Sequence, residues 1–133
     1  MKEQADLVRG LLRKASSDLL AVDATMAAGA NDAAAFHAQQ AVEKLLKAYL
    51  AHKGAEFPFT HNLSRLVDLC AEVDASFQAL IPIVEPLTPY AVELRYDTDF
   101  WPTGQEASEA RDSAIAARNF VLAHIPPSLA AEI

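Results

Sequence analysis

Apolar residues recur along this chain at three- and four-residue steps, the period of helices packed on one side. Between residues 3 and 28, Leu7, Leu11, Ala15, Leu19, Val22 and Met26 make one such stripe, and Gly29 stands where that helix ends. Asn31 or Asp32 then caps a second helix over 32–53, whose Val42, Leu45, Leu46 and Tyr49 face inward and which stops at Gly54. A loop over 55–59 holds Pro58, and Thr60 caps a third helix over 61–74 that buries Leu63, Leu66, Val67 and Cys70. From 74 to 102 the pattern breaks, because Pro82, Pro86 and Pro89 exclude one long helix. A short helix around 76–81 is predicted, then a turn, then a helix capped by Thr88 with Pro89 in its first position. That helix carries Tyr90 and Leu94 and ends near 95–97, before a polar and aromatic loop over 97–102. The last helix opens with a capping box, Thr103 and Glu106, and runs to about His124. Its smooth face is Ala107, Ala110, Ala114, Ala117, Val121 and Ile125, and Pro126 and Pro127 stop it.

These elements define an all-α fold, an up-and-down bundle of four to five helices in a single domain over 1–133. Hydrophobic residues reach 52%, but much of that is alanine, the strongest helix former and one with little apolar surface. The formal net charge is −7, which repels polyphosphate over most of the surface and argues against broad nucleic-acid binding. A local basic patch remains compatible with one nucleotide or a short strand. The lone Cys70 forms no internal disulfide and fits a reducing cytosol. The opening residues lack a signal peptide's apolar run and no segment reaches spanning length, so a cytoplasmic chain with no membrane partner is expected.

Two constellations carry candidate chemistry. On the second helix, His37, Gln40, Lys44 and Lys47 fall within an arc of roughly 80°, apart from the apolar face. Donors aligned in this way suit a phosphate or carboxylate. The plain alternative is a solvated face on which Glu43 and Lys47 form an i,i+4 pair. In Glu93–Trp101, Arg95 ends a helix beside Tyr96, Asp97, Asp99 and Trp101. Arginine clamps phosphate bidentately and a neighbouring aromatic stacks on a base. Alternatively, Arg95 holds helix carbonyls or Asp97 while Tyr96 and Trp101 cover the core. His61, opening the third helix, is either a ligand contact or a local cap. Asp97 and Asp99 lack the further oxygens of a calcium loop. Cys70 lies on an apolar face and reads as a core thiol. Hydrolase, P-loop and zinc signatures are absent from the sequence, and no metal or cofactor is expected.

The run Gln39–Leu50, followed by His61–Leu66 and then Tyr90 and Arg95–Tyr96, resembles the HEPN family in order and spacing, and Ala15–Ala21 resembles its first helix. The resemblance covers about residues 5–125. It implies a helical bundle, commonly a homodimer, often produced beside a minimal nucleotidyltransferase, with nucleotide-binding members and ribonuclease toxins restrained by that partner. Those nucleases place a histidine four to six residues after an arginine just before the last helix, and the stretch after Arg95 holds none. Arg118 and His124 have the formal spacing, but inside the terminal helix, where six residues set side chains about 120° apart.

The reading that follows is a binding module for a nucleotide, or for a minimal nucleotidyltransferase partner. Its candidate site is His37, Gln40, Lys44, Lys47, His61, Arg95, Tyr96 and Trp101, with no catalytic residue assigned. One alternative is a metal-independent ribonuclease of a toxin–antitoxin pair, using Arg95 or the Arg118–His124 pair across a dimer; RNA is a partner only in that case. Another is an adaptor that dimerises through the alanine face of the last helix.

Overall fold

Two long amphipathic segments joined by a three-residue turn must fold back on each other, and they do. In the computed structural model, which describes residues 2–130, α1 (Lys2–Ala27) and α2 (Asn31–His52) form the longest helix pair. Their far ends meet: Gln4 Nε2 donates to the carbonyls of Ala51 and His52 at 2.7 and 2.8 Å, satisfying acceptors that end α2. Gly29 and Gly54 adopt φ of +80° and +68°, left-handed positions where a side chain would strain the turn, and each follows a helix as its placement predicts.

After α2 come α3 (Leu63–Val73), a 3-10 turn at Ala75–Leu80, α4 (Ile81–Val84), a second 3-10 turn at Glu85–Leu87 and α5 (Pro89–Tyr96). The chain closes with α6 (Gly104–Leu122) and α7 (Pro127–Ala130), and no strand occurs among the described residues. The proline-punctuated middle is therefore short helical turns, as its broken periodicity implies. α2 is the central element. It packs against α1, α3, α5 and α6 and buries residues on nearly every side, Ala34, Val42, Leu46 and Leu50 among them, all fully enclosed.

Several local expectations shift. The α1 stripe shifts at its start: Ala15 and Val22 are buried and Leu11, Leu19 and Met26 pack partly against the core as predicted, but Val8 and Leu12 are the enclosed residues of the first turns and Leu7 is exposed. Ala30, not Asn31 or Asp32, occupies the cap position of α2 and gives no side-chain bond. Asn62, not Thr60, caps α3 through the Arg65 amide, because the Thr60 hydroxyl instead accepts from the Asn62 amide and holds the turn before it. Thr88 does occupy the cap position of α5 but gives no side-chain cap bond; its hydroxyl accepts from the Leu63 amide, tying the start of α5 to the start of α3. The capping box of α6 is present in both halves, Glu106 N to Thr103 Oγ1 at 3.0 Å and Thr103 N to Glu106 Oε1 at 2.9 Å. The alanine face of α6 (Ala107, Ala110, Ala114, Ala117) is buried against the chain's own core, chiefly α2. It is therefore not free to dock a second subunit, which removes that basis for the adaptor reading.

Candidate functional site

Two carboxylates organise one side of α2. Asp18 of α1 sits on the buried stripe between Ala15 and Val22 and is only 8% exposed. Its two oxygens take Lys44 Nζ at 2.5 Å and His37 Nδ1 at 3.0 Å. Glu43 of α2 is 6% exposed and takes Lys47 Nζ at 2.9 Å, His61 Nδ1 at 2.8 Å and Gln39 Nε2 at 3.3 Å. The fully buried Gln39 amide also donates to the His61 carbonyl, and its oxygen accepts from Gln40. Every polar atom of the Gln39 amide group thus has a partner, as burial demands. Burial pushes the Glu43 carboxyl up, but hydrogen bonds from Lys47, His61 and Gln39 and the Lys47 charge outweigh it and hold it below the ordinary glutamate value of 4.5. Glu43 is thus an anion at neutral pH with its countercharges already in place.

Of the sequence-derived candidates, His37 and Lys44 therefore gather on Asp18, and Gln40, Lys47 and His61 belong to the group around Glu43, two neighbouring clusters of one polar band in which both lysines are bound to carboxylates. The pairing of Glu43 with Lys47 is the i,i+4 contact, but it is enclosed rather than solvated, the Lys47 side chain being 12% exposed. His61 is neither a cap nor a free contact: its ring joins the pre-α3 turn to Glu43.

Arg95 is placed differently. Its guanidinium lies 4.8 Å over the Phe36 ring, one residue from His37, so it borders the α2 band without entering it. It forms no ion pair with Asp97 or any other carboxylate among the described residues; Asp97 instead accepts from the Asp99 amide. Tyr96 and Trp101 are 77% and 68% exposed and cover no core, with the Trp101 indole N–H donating to the Thr98 carbonyl. An uncommitted cation is thus followed in sequence by two open aromatic side chains.

Asp18, Gln39 and Phe36 escaped the sequence reading as site residues, and Glu43 entered it only as the i,i+4 partner of Lys47. The available signal was positional: Asp18, Gln39 and Glu43 are polar residues on apolar faces, in register with Ala15 and Val22 on α1 and with Ala35, Val42 and Leu46 on α2. A polar residue on a buried face needs a partner.

Arg118 and His124 turn to different neighbours. Arg118 lines a groove with Ser16, Asp23 and Arg111 between α1 and α6, whereas His124 stacks on Phe120 and approaches Asp74 at 3.7 Å. Cys70 is fully buried with its thiol pushed up to about 12 by burial, a protonated core side chain. Among the described residues no group of three His, Cys, Asp or Glu side chains is placed to hold a metal, and no helix is long and apolar enough to cross a membrane.

The architecture is that of an all-α domain in which enclosed carboxylates neutralise the cations along α2, while Arg95 has no carboxylate partner among the described residues. This chain belongs to the HEPN family, whose domain model matches residues 8–124. No curated protein and no solved structure matches it.

Proposed function

We propose that this HEPN domain is a binding module for a nucleotide, either free or presented by a minimal nucleotidyltransferase partner, and that Arg95 is its phosphate contact. The observation that carries the reading is the state of Arg95: exposed, propped on Phe36, without a carboxylate partner among the described residues, and followed by open aromatics. A guanidinium so held is oriented in advance and gives up little on meeting an anion. Tyr96 or Trp101 then lies against the base. His37, beside Phe36, is the nearest member of the α2 band that adds a donor. Lys44 and Lys47 take a supporting role, because each would have to leave a carboxylate to reach phosphate.

Pairing of two copies belongs to the same proposal. Val92 and Tyr96, one turn apart on α5, are both exposed and offer an apolar strip to a second chain. Calorimetric titration with ATP and GTP tests the nucleotide reading. Saturable binding that falls about tenfold or more in Arg95→Ala supports it; binding indifferent to Arg95 and to Tyr96→Ala removes it. Sedimentation across a concentration range reads the pairing.

A further inference from the structure

A second concavity, away from Arg95, is lined by groups of the opposite sign. It is a groove of about 210 Å³ between the 82–90 segment and α6, with Pro82, Ile83 and Pro86 on one wall and Tyr90, Glu106 and Glu109 on the other. Tyr90 and Arg95 are five residues apart on α5, so their side chains diverge by about 140° and the two surfaces are separate.

Three features converge there. Tyr90 is more than nine-tenths buried, at 8% exposure, yet its hydroxyl makes no hydrogen bond among the described residues. The ring is enclosed but the hydroxyl oxygen is not, since no enclosed side-chain N or O among the described residues lacks a partner; it opens onto the groove that Tyr90 lines. Glu106 and Glu109 each have one oxygen engaged, by the Thr103 amide and by the Gln105 side chain. Neither pairs with a lysine or arginine among the described residues, unlike Asp18 and Glu43, whose countercharges are built in. All three line the same groove, and burial first, then the negative charges of Glu106 and Glu109, push the Tyr90 hydroxyl up. The start of α6 contributes about half a positive charge, too little to offset two carboxylates.

We propose that this groove is an amine site, taking the primary ammonium of a short aliphatic amine between Glu106, Glu109 and the Tyr90 hydroxyl, with its alkyl chain along Pro82, Ile83 and Pro86. An ammonium has three donors and no acceptor, which matches two carboxylate oxygens and one hydroxyl oxygen. The net charge of −7 favours a cation's approach. Proline and isoleucine walls suit a methylene chain and give nothing to a bare metal ion.

The test is an amide-resolved NMR titration of the full chain with n-butylamine, alongside n-butanol as its uncharged counterpart. Expected are saturable shifts centred on Leu87, Tyr90, Ala110 and Ser113, absent with n-butanol. The Glu106→Gln/Glu109→Gln double variant should bind about tenfold or more weakly, and Tyr90→Phe should weaken binding severalfold. Glutamine at 106 still serves the capping box. Should the double variant unfold, Glu109→Gln alone leaves that box untouched and should still bind severalfold more weakly. Equal affinity for n-butanol, non-saturating shifts, or undiminished binding in folded Glu109→Gln and double variants overturns the proposal.

Discussion

The band on α2 and the end of α5 contain similar residue types and do opposite things with them. Along α2, two enclosed carboxylates, Asp18 of α1 and Glu43, each gather two basic side chains and hold them in fixed geometry. At the end of α5, Arg95 has an aromatic ring beneath it and no carboxylate against it among the described residues, although Asp97 and Asp99 are close in sequence. A cation bound to a buried anion is part of the scaffold, and a cation bound to a ring is still available. Charge counted along a helix face does not distinguish the two; the location of the counter-ion does.

The contrast breaks most sharply at Glu43. Replacing it by alanine strands Lys47, Gln39 and the His61 ring together, and should cost roughly 2–3 kcal/mol, read as a lower urea midpoint at an unchanged slope. That lies under the full penalty of a buried pair because half of the His61 side chain is open to solvent. Asp18→Ala should cost less, about 1–2 kcal/mol, since Lys44 and His37 are partly exposed and can turn to water. Arg95→Ala should show the reverse pattern. Only the contact with Phe36 is lost, under about 1 kcal/mol, while nucleotide affinity drops about tenfold or more. If Arg95→Ala destabilised the fold as much as Glu43→Ala, the division into scaffold and available cation would be wrong.

Acid sharpens the same distinction. Glu43 is depressed below 4.5 in the folded chain, so the unfolded chain takes up its proton first as pH falls. The contribution of Glu43 is whole above pH 4.5 and is lost as pH drops through its lower folded value. Urea midpoints measured through that window should fall for the native chain and fall less steeply in Glu43→Gln. The smallest effect belongs to Trp101→Ala, expected within about 0.5 kcal/mol of the native stability because the indole covers no core. In the native chain the Trp101 fluorescence should nonetheless quench when a nucleotide stacks on the indole.

Most of the helices were legible in the sequence because their signals are local. Spacing of apolar residues, Gly29 and Gly54 at helix ends, and the Thr103–Glu106 box all act within a turn or two. What failed was non-local or degenerate. Thr60 and Thr88 look like caps, but one braces a turn and the other serves an amide 25 residues away. The first turns of the α1 stripe were set one residue off because leucines lie on both edges of it, and only contact with α2 selects Val8 and Leu12 for the interior. At the site, residue identities on α2 were readable while their state was not. Asp18 lies 26 residues from Lys44, and nothing near either position announces that they will meet. Arg95 was singled out by its aromatic neighbours, yet the ring supporting it, Phe36, comes from another helix.

The seam between α6 and α2 has a consequence for how this protein can vary. Alanine side chains have no rotamers to freeze, so closing that seam sacrifices almost no side-chain freedom. The same economy leaves no slack: a methyl group cannot fold aside to admit a larger neighbour, and a bulkier residue at Ala114 would pry the two axes apart. Drift along this contact is therefore confined to a narrow range of sizes, while the outward side of the same helix is free to diverge.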